Sequence, residues 1–389
     1  MKIRSGFRAV LVINFLTTLA WGCGSVPDYP PNLSFPSRSD RLVLKTPETS
    51  PPSLDEPGKM DAGIARVDSF GGETVLPITL STDLRAAIDQ FLIDVFGTPA
   101  APKIQGEPTA ERLGLNSTDL AEGSKLYRKH CLQCHNMSGD ARGTAGQFVI
   151  PFPRDFRQGQ FKFVTTEGYG KPRRSDILRT LAEGLKGTQM PAFGLLTETK
   201  RDLLARYVTY LSIRGQVEFE CLVAVARSEL NSIELVDSFG RGRLATILGQ
   251  WEQAELSAVY PGAMTEPDDG EPGSPTHAEA VRRGHALFTA KTENSCISCH
   301  ADYGRRPVLR FDIWGTVAKP ADFHEPNLKG GTKPEQVFHR IRGGIPAVGM
   351  PAHPHLTDRQ IWDLVRFIRA APYPVQLPED VRAVVYPNP

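Results

Sequence analysis

Apolar positions recur at helical spacing in several separated stretches of this 389-residue chain. In STDLRAAIDQFLIDVFG, Leu84, Ile88, Phe91, Leu92, Val95 and Phe96 share one helix face, with Ser81 as N-cap and Gly97 as C-cap. Packing on a neighbouring domain is the ordinary role of such a helix and is preferred here over partner recognition. Leu203, Leu204, Tyr207, Val208 and Leu211 predict a second helix, and Ile361, Leu364, Val365 and Ile368 a third. Thr197 caps the second; Thr357 with Gln360 makes a capping box for the third, and Gly215 and Pro372 end the two. Residues 216–260 read as helical and 261–276 as a loop, either a spacer or an extension of the module that begins near residue 277.

The last two helices belong to a repeat. Cys131, Cys134 and His135 recur as Cys296, Cys299 and His300, 165 residues on. Pro153-Arg154-Asp155-Phe156 recurs loosely as Pro320-Ala321-Asp322-Phe323. Gly184-Leu185, Met190-Pro191-Ala192 and Leu196-Thr197 recur 160 residues on as Gly344-Ile345, Met350-Pro351-Ala352 and Leu356-Thr357. Each Cys pair follows a helix with an aromatic four residues after a glycine, Gly123 with Tyr127 and Gly284 with Phe288. Each copy therefore reads as helix, Cys-x-x-Cys-His, long loop, short helix, glycine-rich methionine loop and closing helix.

Three chemistries compete for Cys-x-x-Cys-His. Structural zinc wants four nitrogen or sulfur ligands, typically two Cys pairs within about 20 residues, and these pairs stand a whole module apart. A thioredoxin-like pair belongs to a βαβ unit, and no such pattern is present. Covalent attachment of haem remains: two thiols add to the two porphyrin vinyl groups, and the adjacent histidine becomes the proximal iron ligand. An electron-transfer haem also needs a ligand on the other face, commonly Met or His. In the first module elimination leaves Met190, because Met137 lies too close to His135 and no histidine occurs between His135 and His277. In the second, His324, His339, His353 and His355 compete with Met350, which ranks ahead because it alone has a counterpart in the first copy.

These motifs make each half resemble a class I cytochrome c domain, over 121–214 and 277–371. The resemblance implies an all-α fold wrapped round one haem in each half, hence two covalently bound haem c. The iron ligands would be His135 with Met190 and His300 with Met350, and the thioether links would run through Cys131, Cys134, Cys296 and Cys299. The expected organisation is a signal peptide (1–22), a flexible tether (23–73), an amphipathic helix with linker (74–120), domain 1 (121–214), a helical insert (215–276), domain 2 (277–372) and a tail (373–389). Arg154, Arg157 and Lys162 are candidates for pairing with haem propionates or for partner docking, and solvated charge is their equally weighted alternative; Ala321 stands where Arg154 would recur. Cys221 reads as a buried helical thiol.

Composition changes the picture only at the edges. The formal net charge is +1, which gives no argument for nucleic acid. Yet residues 121–214 carry 16 basic against 8 acidic side chains and 279–371 carry 14 against 9, so two basic modules alternate with acidic segments. The start has Lys2, Arg4 and Arg8 before an apolar run from Ala9 to Trp21, too short to span a bilayer and suited to export. Leu19-Ala20-Trp21-Gly22-Cys23 resembles a lipoprotein signal with Cys23 as the lipidated residue, although the leucine stands four rather than three positions before it. Ala20 and Gly22 also satisfy ordinary signal cleavage.

The preferred reading is an exported, periplasmic, lipid-anchored electron carrier or complex subunit rather than an enzyme. Its partners would be redox proteins: a quinol-oxidising complex, a terminal oxidase or a small cytochrome. The rival is a dihaem enzyme, of peroxidase or thiosulfate-oxidising type, working at the second haem.

Overall fold

The computed structural model describes residues 28–48, 67–258, 265–291 and 295–387; the leader and Cys23 lie outside them. The fold is mostly helical. The helices are α1 (Thr82–Phe96), α2 (Pro108–Arg112), α3 (Ser117–His130), α4 (Leu132–His135), α5 (Arg174–Glu183), α6 (Glu198–Ala226) and α7 (Val236–Leu256). There follow α8 (Pro275–Thr289), α9 (Cys296–Cys299), α10 (Pro334–Gly343), α11 (Asp358–Ala370) and α12 (Glu379–Val385). Two small antiparallel pairs complete it: β1 (Leu42–Lys45) with β2 (Glu73–Val75), and β3 (Arg310–Phe311) with β4 (Val317–Ala318).

The repeat is present in three dimensions. α3 crosses α6, and α8 crosses α11, at glycines that let the backbones touch. A Cβ on Gly123 would meet the Leu203 carbonyl oxygen at 2.5 Å, and one on Gly284 the Asp363 carbonyl oxygen at 2.0 Å. One turn on, Tyr127 packs against Tyr207 (ring centroids 5.2 Å apart) and Phe288 against Phe367 (5.3 Å). The glycine–aromatic spacing noted in the sequence is thus a helix-crossing device. Thr197 caps α6 and Thr357 caps α11 with its capping box, as expected from the sequence.

Three expectations need correction. Gly215 does not end a helix: α6 runs 29 residues straight through it. The glycine is there for space, since a Cβ would lie 2.5 Å from the Arg157 Cβ. The insert is divided between the halves: its loop is held by the second, where Arg359 donates to Asp269 at 2.6 Å and Arg366 to the Pro267 carbonyl at 2.9 Å, and its helical part belongs to the first. Val217, Cys221, Leu222, Leu244, Ile247, Leu248 and Trp251 lie in the same core cluster as α1, α3 and α6. The six α1 residues on the face named above are buried in that cluster, so its apolar face is used internally. Cys221 is fully buried, with its thiol pushed up to about 12 by that burial.

Part of the expected tether is also packed. Phe35, Leu42 and Val43 are buried, and Arg214 lies over the Phe35 ring at 4.5 Å. Averaging over a Pro- and Ser-rich segment hides these few apolar anchors and one buried ionic cluster. Asp40 receives two hydrogen bonds from Arg157 (2.7 and 2.9 Å) and a third from Arg38 at 3.2 Å, and Arg157 also binds Asp155 at 2.7 Å. The tail is likewise anchored, with Val381 and Val385 of α12 buried in the second core.

Burial alone would raise the Asp40 and Asp155 carboxyls, but the guanidiniums of Arg157 and Arg38 overcome it and hold both below the usual carboxylate value of 3.8. Because the folded values are depressed, the cluster stabilises fully above the unfolded value and loses this contribution as pH falls through the folded ones. Arg157→Met should cost about 3–5 kcal/mol by stranding two buried carboxylates and should flatten the acid-unfolding profile below pH ~4. Denaturant and acid titrations check this, with the exposed Arg282→Gln as a control that leaves the midpoint unmoved.

Candidate cofactor site

Each Cys-x-x-Cys-His sits on a single turn, and the first is fixed at both ends. The Cys131 N–H donates to the Tyr127 carbonyl (2.8 Å) and the His135 N–H to the Cys131 carbonyl (2.9 Å). The Tyr127 hydroxyl then donates to the Asn136 carbonyl at 2.8 Å, and Asn136, at φ 57°, turns the chain away. In the second copy the His300 N–H donates to the Cys296 carbonyl at 2.9 Å. One short turn therefore presents two sulfurs and an imidazole together.

The loose Pro-x-Asp-Phe repeat accounts for the orientation of both imidazoles. His135 Nδ1 lies 3.0 Å from the Arg154 carbonyl oxygen and His300 Nδ1 2.9 Å from the Ala321 carbonyl oxygen. A carbonyl can only accept, so Nδ1 carries the proton and Nε2 is left as a bare donor atom for a metal. The phenylalanine two residues on covers the ring: Phe156 stacks on His135 at 4.5 Å, and Phe323 lies 4.7 Å from His300. Burial pushes His135 down to about 4 against the opposing pull of the Arg154 carbonyl, so the imidazole is neutral at physiological pH. Here the role of Arg154 lies in its backbone, which explains why alanine serves equally well in the second copy.

The methionine loops are built alike. Gly184 (φ 65°) and Gly344 (φ 69°) end α5 and α10. A Cβ on Gly184 would meet the Ala192 nitrogen at 2.7 Å, and one on Gly344 the Ala352 nitrogen at 2.5 Å. The Leu185 N–H donates to the Met190 carbonyl (3.1 Å) and the Ile345 N–H to the Met350 carbonyl (2.9 Å). Both loops are thereby pinned as tight returns.

His135, Met190 and their cysteines line the same cavity as His300, Met350 and theirs, a space of about 1320 Å³. That exceeds the ~300–1,000 Å³ usual for one small-molecule site. The Cys131 and Cys296 thiols are pushed up to about 12 and about 11, chiefly by burial, which disfavours the thiolate that disulfide exchange needs. No three His, Cys, Asp or Glu side chains converge on a bare metal site among the described residues.

The two candidate arginines differ. Arg157 is committed to Asp40 and Asp155, so its guanidinium is used within the protein. Arg154 lines the cavity, and its guanidinium lies 3.5 Å from the centroid of the Trp314 ring of the other half. Among the second-half histidines, His353 lines the cavity with Met350. His324 is turned to Asp322 at 2.8 Å. Trp314, Lys162 and Arg340 also line the cavity. Sequence reasoning gave no site role to Trp314 or Arg340 because neither has a counterpart in the other copy. No helix among the described residues is long and apolar enough to cross a membrane.

The Gly344→Ala variant should lose about 1–3 kcal/mol, because its backbone conformation suits glycine alone; thermal unfolding measures this. The equally small change Gly249→Ala, in open space on α7, should instead be neutral or slightly stabilising.

The profile of the family described as cytochrome c oxidase, cbb3-type, subunit III matches residues 118–208 and again 279–368, so two segments of the chain are similar to a c-type cytochrome family. A search of curated proteins found no match. Among solved structures, one chain of the Kuenenia stuttgartiensis reducing HAO-like protein complex is similar at 25% identity, with 64% of this chain and 94% of that chain covered and a TM-score of 0.46.

Proposed function

We propose that this protein is a dihaem c-type cytochrome that passes single electrons in a periplasmic or membrane-associated respiratory chain. The observation that carries the reading is the doubling of one donor set around one cavity: in each half a Cys pair, an imidazole oriented by a backbone carbonyl, and a methionine on a pinned loop. This set fits a covalently attached haem in each half. The haem supplies a reversible one-electron iron couple, and the chain supplies axial ligands, burial and spacing.

In this reading Cys131, Cys134, Cys296 and Cys299 hold the rings. His135 with Met190 would ligate one iron, and His300 with Met350 the other. The carbonyls of Arg154 and Ala321 keep Nδ1 protonated and so direct Nε2 to the iron. A histidine–methionine ligand pair would raise the reduction potential relative to two histidines, which suits the downstream part of a respiratory chain. The sequence pattern of residues 1–23 supports export and lipid anchoring at Cys23. Redox proteins are the partners, whether the chain works as a free carrier or as a complex subunit.

A second reading, a redox enzyme working at the second haem, draws on His353 beside Met350 in the cavity lining and on His355, whose ring lies 5.5 Å from that of His353. Peroxide turnover together with a high-spin ferric signal would favour it.

Met190→Ala should abolish the methionine–iron charge-transfer band of one haem and leave the band of the other, with both haems still attached. Met350→Ala should do the converse. Visible spectra of the oxidised variants decide this, and two unaltered bands in either variant would refute the corresponding ligand.

A further inference from the structure

The two methionine loops share a backbone but differ in two side chains. After Met190-Pro191-Ala192 the first copy continues Phe193-Gly194-Leu195; after Met350-Pro351-Ala352 the second continues His353-Pro354-His355. The Phe193 N–H donates to the Leu181 carbonyl on α5 (2.7 Å), and the His353 N–H to the Arg342 carbonyl on α10 (3.1 Å). Two apolar side chains of one copy, one of them the fully exposed Leu195, are thus two imidazoles in the other.

The frame under these imidazoles is stiff. Arg342 Nη1 donates to the carbonyls of His353 (3.4 Å), Pro354 (3.3 Å) and Leu356 (2.6 Å), and its other terminal nitrogen pairs with Asp358. The Leu356 N–H returns to the His353 carbonyl at 3.3 Å, and Pro354 fixes the backbone between the two histidines.

On this frame the two rings stand with centroids 5.5 Å apart and planes at 65°. An imidazole nitrogen binds a transition ion at about 2.0–2.1 Å, which puts the ring centroid about 3.2 Å from the ion. Two imidazoles on one ion can therefore have centroids up to about 6.4 Å apart, and the pair falls inside that limit. Neither imidazole has a hydrogen-bond partner among the described residues, and the ring nitrogens of His353 are not sealed off from the outside. His353 is 7% exposed and lines the cavity with Met350, whereas His355 is exposed. Burial, and then the neighbouring His355, hold the His353 imidazole below its ordinary value, so it keeps a lone pair at physiological pH.

We propose that His353 and His355 together hold a divalent first-row transition ion, Cu²⁺ most tightly. Imidazole suits copper, zinc and nickel, and Cu²⁺ heads the usual order of affinity. No third His, Cys, Asp or Glu joins the pair among the described residues, so water completes the coordination and the ion is exchangeable. The site stands apart from the dihaem reading, since it uses neither the Cys pairs nor the axial ligands assigned there.

The test is calorimetric titration of Cu²⁺ into purified, fully oxidised full-length protein, with electron paramagnetic resonance of the bound ion. One ion per chain is expected, with nitrogen couplings from two imidazoles. His353→Gln and His355→Gln should each weaken binding by about tenfold or more. The double variant should lose less than the sum of the two losses, because removing one arm already breaks the chelate. His355 is exposed, so its variant decides the matter if His353→Gln folds poorly. His324→Gln, whose imidazole is taken by Asp322 at 2.8 Å, should leave the affinity unchanged. Affinity unmoved in both single variants, couplings from one nitrogen, additive losses in the double variant, or an equal loss in His324→Gln would overturn the site. A haem count below two would overturn the dihaem reading and leave this site standing.

Discussion

Everything in this structure depends on two helix crossings at which glycine removes the side chain between backbones. At Gly123 and at Gly284 the opening helix of each module lies against the backbone of the closing helix. In the first half, where α3 runs through Cys131 directly into α4, that contact fixes where the Cys-x-x-Cys-His turn stands relative to the methionine loop that precedes the closing helix. A larger residue would force the helices apart, and the histidine and methionine would no longer border one narrow space. The aromatic pairs one turn further on lock the crossing in rotation as well as in distance.

Given that frame, the imidazoles need only be aimed. A backbone carbonyl from the Pro-x-Asp-Phe segment does this in both halves, and a phenylalanine covers the ring. The device uses main-chain geometry and an aromatic wall, so it tolerates arginine in one copy and alanine in the other. It also couples the long loop to the site: displacing Phe156 or Phe323 would free the histidine ring that each covers.

Much of this was legible in the sequence because the chain repeats itself. Gly184 with Gly344, and Met190 with Met350, stood out as pairs, and so did the glycine–aromatic spacing before each Cys pair. What could not be read there lacks a periodic or duplicated signal. Gly215 looked like a helix terminator because a glycine required for close packing and one required for a left-handed turn are the same letter. The buried Asp40–Arg157–Asp155 cluster lay across a separation of over a hundred residues, inside a segment whose average composition argued for a free tether. Trp314 and Arg340 went unnoticed because neither recurs in the other copy, and only the meeting of the two halves gives them a common surface.

The proposed electron carriage rests on two rings bound covalently, one to each half. The most direct measurement is a pyridine haemochrome count on matured, exported protein after denaturation and acid–acetone extraction. Two haems retained per chain, falling to one in Cys131→Ala/Cys134→Ala, is the predicted result. Pigment that leaves with the solvent, or a chain that retains one haem or none, would contradict it.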